Sequence, residues 1–317
     1  MSKKQYWEHF HVNSSCDVGV SLVFDALLSF GMPEKALAFL AVRLIIPSSS
    51  EIKINPETIA RTMLQVDPKK VDNEQYIRYS YGEIIKKLQV LDIEPAIMSS
   101  IEWKFIQLEN FYCKSLFRYM LKNPRDFLKL TLSNDSEIQN LSQEDKEAYG
   151  ASWYKFLGIF SFLDLENGQL IFSIEELQGW IDEVLVILDT EIKSGKEESI
   201  FLRTIIGRLL ERLIDGRDVA LLPEDILKFI ENNLKDDWIT KGFIKELKYP
   251  WLPRVKTKEV DEGGEDERRE AEKYENYAKL FNDKMYNNLF ECFSAKTRSC
   301  KKEAELEDAK KKGRILL

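Results

Sequence analysis

Histidine is what this chain has least of among residues that do chemistry. Two of its 317 residues are His, namely His9 and His11, both in the N-terminal arm. A Ser–His or Cys–His nucleophile would have to draw on one of that pair. Other catalytic signatures are missing too. There is no HExxH of a zinc protease, no GxSxG of an α/β-hydrolase, no GxxxxGK followed by Ser or Thr, and no GxGxxG. Glycine (14) and proline (9) are sparse for this length, which disfavours a turn-rich all-β fold. The 4 cysteines, Cys16, Cys113, Cys292 and Cys300, lie far apart with no CxxC pair. The opening MSKKQYWEHFHVNSS has no apolar signal core. Reduced thiols in a cytoplasmic protein are therefore expected. The longest apolar-rich stretch, 36–46, contains Arg43 and stops at Pro47, too short to span a bilayer. Net charge is −8, which makes the chain a poor general binder of nucleic acid and suits a protein partner better.

What is present points to helices. Hydrophobic residues make up 44%, enough for a core of normal size, and the 32% that are charged suit long helices with solvated faces. Residues 17–30 put Val20, Val23, Phe24, Leu27 and Leu28 on one face; Gly31 ends that helix and Pro33 opens the next. Two apolar helices so joined form an αα-hairpin. Asn55 is placed to cap a helix beginning at Pro56. A helix is expected over 74–91, and a long aromatic-rich one from Ser99 or Ser100 through Lys122. Pro124 restarts a helix, and the polar segment 133–146 reads as a loop. Ser173-Ile174-Glu175-Glu176 is a capping box, followed by helical spacing from Leu177 to Ile192. Further helices fit 199–214 and 223–233, and the pattern stops at Tyr249-Pro250-Trp251-Leu252-Pro253.

From Glu265 to Lys312 the composition turns strongly charged and reads as one long helix. Acids lead its first turn and Lys310, Lys311 and Lys312 its last, as the helix dipole favours. Its apolar residues, Ala271, Tyr274, Ala278, Phe281 and Met285, form one narrow seam. A seam this narrow builds no core of its own, so it must dock on the body, on a partner or on a second copy. Tyr274, Phe281 and Met285 are therefore the candidate interaction residues. Gly263-Gly264 reads as a flexible lead-in to this helix.

Four constellations of residues each admit a plainer reading. His9, His11 and Cys16 offer three metal ligands on one arm but no fourth, so no metal or other cofactor is expected. Asp182, Glu191 and Lys193 flank the apolar run 184–188 and would suit a Mg²⁺-dependent nuclease, provided that run is a strand. The capping box makes it a helix interior instead. Trp103, Trp153, Trp180 and Trp251 are not interleaved with a basic stripe and read as core. The basic run 310–314 reads as a solvated helix end.

Several segments in order carry a family resemblance. They are the hairpin 27–40 with Gly31 and Pro33 at its bend, Ile101-Glu102-Trp103, the stretch 116–128 with Asn123-Pro124, the placement of Trp153 and Trp180, and 262–274 with its Glu-Gly-Gly followed by a charged helix. Together these resemble the C-terminal helical region of large bacterial multidomain proteins, some associated with anti-phage defence. The resemblance implies an accessory, ligand-sensing or scaffolding helical array whose effector domain lies upstream in the larger proteins. Pro250-Trp251-Leu252-Pro253 departs from that pattern.

The sequence thus predicts an all-α chain. Residues 1–250 form a solenoid-like array of antiparallel helical hairpins, 251–264 a Pro/Gly linker, and 265–317 a long charged helix able to support oligomers. The expected function is a non-catalytic protein-binding or scaffold module, the recognition part of a bacterial defence system. Its partner would be an NTPase or effector subunit, or a foreign protein, with no membrane association. The alternatives are the Mg²⁺ nuclease and a nucleoporin-like helical scaffold.

Overall fold

The computed structural model describes residues 2–8, 19–45, 54–68, 75–108, 111–132, 140–164, 166–192, 196–248 and 264–315. Its α-helices are α1 (Lys3–Glu8), α2 (Val20–Ser29), α3 (Pro33–Ile45), α4 (Pro56–Gln65), α5 (Gln75–Leu88), α6 (Pro95–Lys104), α7 (Lys114–Lys122) and α8 (Pro124–Thr131). There follow α9 (Gln143–Ile159), α10 (Ile174–Ile187), α11 (Glu197–Arg212), α12 (Glu224–Asn233), α13 (Asp237–Lys248), α14 (Glu265–Asp283) and α15 (Asn287–Ile315). Among the described residues the extended pairing is a single bridge between Leu163 and Leu170, so the chain is all-α. No helix among them is long and apolar enough to cross a membrane. The chain divides into two compact units, Met1–Asn123 with Leu141–Phe156, and Pro124–Asn140 with Leu157–Leu317. The C-terminal helices thus belong to the second unit together with residues 157–248. Apart from Gly264, the expected linker 251–264 lies outside the described residues.

In the first unit, α2 and α3 form the predicted hairpin. Gly31 sits at φ 72°, its N–H donates to the Leu28 carbonyl, and the Met32 N–H reaches the Leu27 carbonyl at 3.0 Å. This is a Schellman closure, in which a left-handed residue lets the last carbonyls find donors. Phe24 and Leu27 then bury with Leu37, Leu40, Met63, Ile85 and Ile101 in one core. Asn55 caps α4 as expected, its side chain accepting the Glu57 N–H at 2.9 Å.

The expected single helix from Ser99 to Lys122 is instead two. The first, α6, opens at Pro95, and the chain turns at Phe105 before α7 begins at Lys114. Glu102, fully buried on α6, supplies the reason. Its carboxylate accepts the N–H groups of Ser115 at 3.2 Å and Leu116 at 2.6 Å, and the Gln89 amide at 2.7 Å. Those N–H groups are the orphan donors at the start of α7, satisfied here by a residue of the preceding helix. A continuous helix would leave Glu102 buried without them.

In the second unit, an aromatic cluster forms the core around α8 and α10. Phe127 stacks on Phe160 at 5.4 Å, and Trp180 meets Phe127 edge-on at 5.0 Å and Phe162 at 5.8 Å. The capping box at Ser173 is present, with Ser173 and Glu176 bonded reciprocally. It is followed by helix to Ile187 and then a π-helical turn, Leu188–Ile192. The strand required by the nuclease reading is therefore helix.

Helices α11 and α13 cross at very close range. A Cβ on Gly207 would lie 1.9 Å from the Ile239 carbonyl oxygen, and one on Gly242 would lie 2.1 Å from that of Thr204. The same helix pair buries Glu246 between Arg208, at 3.7 Å, and Arg212, at 3.6 Å.

The long C-terminal helix expected from 265 to 312 is a helical hairpin. The turn falls at Met285, which adopts φ 61°. The Tyr286 N–H bonds the Phe281 carbonyl at 2.9 Å, and the Met285 N–H bonds that of Asn282 at 3.1 Å. This is a second Schellman closure, here with methionine at the left-handed position, so glycine did not mark it. The Phe281–Tyr286 ring contact at 6.3 Å completes it. Helix α15 starts under a distant cap. Glu231 of α12 accepts the N–H groups of Asn288 at 3.0 Å and Leu289 at 2.9 Å. At the far end of the hairpin Gly264 is tightly enclosed. Its N–H donates to Asp308 at 2.9 Å, and a Cβ there would stand 2.3 Å from the Ala304 carbonyl oxygen. The requirement at Gly264 is room, not the flexibility read from the sequence.

Candidate functional site

The first unit carries a cleft of about 630 Å³, within the range typical of ligand sites. Its floor is aromatic and its rim polar. One wall is the end of α6 and the turn that follows it, from Trp103 to Leu108; another is Asp67 and Pro68 just after α4; the third is α9. On α9 the lining residues Asp145, Ala148, Tyr149 and Ser152 fall at helical spacing, so one face borders the cleft. The small side chains of Ala148, Ala151 and Ser152 on this wall leave the space open. Trp103, half-buried, meets Tyr149 at 5.6 Å with the rings inclined by 67°, and Phe156 packs against it from the core at 6.1 Å. Tyr81 stacks on Phe105 beneath, 5.6 Å apart and 14° from parallel.

Polar contacts brace these walls. The Lys155 ammonium donates to the Leu108 carbonyl at 2.9 Å, and the Gln107 amide to Ser152 Oγ at 3.3 Å, tying α9 to the turn. The Lys104 ammonium donates to the Leu64 carbonyl, joining α6 to α4. Burial pulls the Lys104 pKa below the usual lysine range, against the opposing pull of the Asp67 and Glu34 carboxylates. Burial also raises the Tyr81 hydroxyl well above the ordinary phenol range, with the Glu34 charge adding to it, so the ring acts as a neutral surface. The cleft lining thus combines aromatic rings with the Asp67 and Asp145 carboxylates and the Lys104 ammonium.

The sequence signals for this site were local and modest. Trp103, expected in the core, is half-buried, and its ring also forms cleft wall. Residues 143–146, read as loop, are the first turn of α9. Ser142 caps it, accepting the Asp145 N–H at 3.1 Å while its hydroxyl donates to the Asp145 carboxylate at 2.7 Å. That Ser-x-x-Asp spacing was the available signal. Nothing in the sequence brings Asp67 and Tyr149 to the lining of one cleft.

The residues singled out from the sequence are placed elsewhere. Phe281 is 0% exposed and packs on Phe293 of α15 at 5.1 Å, while half-buried Tyr274 lies 5.8 Å from the same ring. The seam is therefore consumed inside the hairpin rather than offered to a partner. Met285 leaves it altogether, at 84% exposed, because its left-handed backbone turns the chain there. Asp182 accepts the Gln178 amide at 2.8 Å, and Glu191 pairs with Arg125 at 2.8 Å. Lys193, His9, His11, Cys16 and Trp251 lie outside the described residues. Trp180 is core and Trp153 half-buried. Lys310 pairs with Glu307 at 2.7 Å on its own helix. Among the described residues no three His, Cys, Asp or Glu side chains converge as a metal site. Burial pushes the Cys292 thiol up to about 12 and that of Cys113 well above its ordinary range, which keeps both protonated and poorly nucleophilic.

Compared with protein-family models, curated proteins and solved structures, the chain matches none.

Proposed function

We propose that this chain is a non-catalytic recognition module whose aromatic cleft takes an anchor side chain from a protein partner. The observation that carries this reading is the cleft itself. Small residues beside Tyr149 on α9 hold it open against Trp103, and hydrogen bonds between α9 and the turn after α6 fix its walls. Concave, mostly apolar sites with a few fixed polar groups are the usual form of a binding pocket, and pre-set walls lower the ordering cost of association. The buried, protonated thiols suit a reducing cytoplasm. In this reading the chain is the recognising or accessory part of a larger assembly, such as a defence system. Its partner is an NTPase or effector subunit, or a foreign protein.

Panning a random dodecapeptide phage library tests this. The parent is the bait, and Ala148→Trp, which fills the cleft from α9, is the counter-bait. Peptides enriched on the parent and lost on Ala148→Trp are expected, with Gly150→Ala, whose added methyl meets nothing within 4 Å, behaving as the parent. If every enriched peptide also binds Ala148→Trp, the cleft is not the site.

A further inference from the structure

The chemistry of the cleft narrows what it can hold. Trp103 and Tyr149 meet at 67°, so their rings form a corner with two aromatic walls. Aromatic faces carry negative quadrupole charge and attract cations, tryptophan most strongly. The lining includes two carboxylates, Asp67, whose charge acts on the Lys104 ammonium, and Asp145, which accepts the Ser142 hydroxyl. That ammonium is turned to the Leu64 carbonyl. The remaining lining, Leu108, Leu141 and Ala148, is apolar and would suit an aliphatic stem. An aromatic corner, two carboxylates and an apolar flank together describe a receptor for a long cationic side chain. Such a side chain buries its methylenes and keeps its charged head near carboxylates. The second unit of this chain already pairs its own lysines with rings in this way: Lys241 lies 3.7 Å from the centre of the Trp238 ring, and Lys296 5.4 Å from that of Tyr274.

We infer that the anchor taken by this cleft is an arginine or lysine side chain of the protein partner, flanked by an apolar residue. The inference rests on the cleft being the binding site. It adds the class of residue recognised and assigns Trp103, Tyr149, Asp67 and Asp145 as the residues that select it. Arginine suits the corner best, since its planar guanidinium can stack on one ring while donating to a carboxylate. A contact between such a cation and a carboxylate weakens as salt screens it.

The test uses the cleft-dependent peptides from the panning experiment, synthesised and titrated against the full chain by following tryptophan fluorescence. They are expected to carry a basic residue. Replacing an arginine by citrulline, which keeps the shape and removes the charge, should weaken binding about tenfold, the scale of a desolvated cation–π contact with an ion pair. Asp67→Asn and Asp145→Asn should each weaken arginine peptides several-fold and leave citrulline peptides unchanged, a pattern that loss of folding would not give. Raising the salt concentration should weaken only the arginine series. Cleft-dependent peptides without a basic residue, or equal affinity for arginine and citrulline forms, would overturn the cation inference while leaving the cleft as the site. Panning that yields no cleft-dependent peptide overturns both.

Discussion

Four helical glycines, Gly150, Gly179, Gly207 and Gly242, are alike in sequence and opposite in structure, and the contrast yields a quantitative prediction. Gly179, on the exposed side of α10, has nothing within 4 Å of where a Cβ would stand. Replacing it by alanine should stabilise the chain by roughly 0.5–1 kcal/mol, the ordinary gain of Ala over Gly in a helix. Gly207 gains the same local term and loses far more. Its Cβ would lie 1.9 Å from the Ile239 carbonyl oxygen and 2.7 Å from the Phe243 nitrogen, where ordinary contact begins at 3.4 Å. Both atoms are backbone, so no rotamer change relieves the clash. Helices α11 and α13 must part by more than 1 Å at their crossing, an overpacking cost of about 1–3 kcal/mol or more. The same crossing holds Glu246 against Arg208 and Arg212, and opening a buried ion cluster adds to the loss. A net destabilisation of about 2–4 kcal/mol is expected for Gly207→Ala, so the two substitutions should differ in sign. Urea unfolding followed by far-UV circular dichroism and tryptophan fluorescence measures both. A Gly207→Ala midpoint at or above that of the parent would refute the close helix crossing.

Phe281→Ala should cost about 3–5 kcal/mol, as for a fully buried ring, whereas Met285→Gly should gain roughly 1 kcal/mol by removing left-handed strain; thermal unfolding of the two variants reads the difference, and equal effects would restore a single apolar seam. Glu102 has its pKa raised by burial, against the hydrogen bonds it accepts. The folded state therefore holds its proton to higher pH than the unfolded chain. Its contribution to stability is fully present below the unfolded value near 4.5 and is lost as pH rises through the folded value. Glu102→Gln should flatten that part of the stability–pH profile. It should also cost about 1–3 kcal/mol at neutral pH, because one amide cannot accept all three donors. An unchanged profile would remove Glu102 from this role.

The sequence by itself determined the fold class, because apolar spacing at the helical period and local caps are properties of short segments. Asn55 before Pro56, the box at Ser173 to Glu176 and the Gly31–Pro33 bend all act over a few residues, and each stands where it was read. Tertiary structure decided where two long helical patterns break, after Lys104 and after Asp283. The physical reason is the same in both. The N–H groups that begin α7 and α15 are accepted by glutamates from other helices, Glu102 and Glu231, at the second and third residues of the new helix. A local N-cap would have served those positions, and no spacing rule reveals a cap that arrives through space. The cleft follows the same logic. Its small-residue face on α9 is written in the sequence, but only the folded chain brings that face, Trp103 and Asp67 to the lining of one cleft.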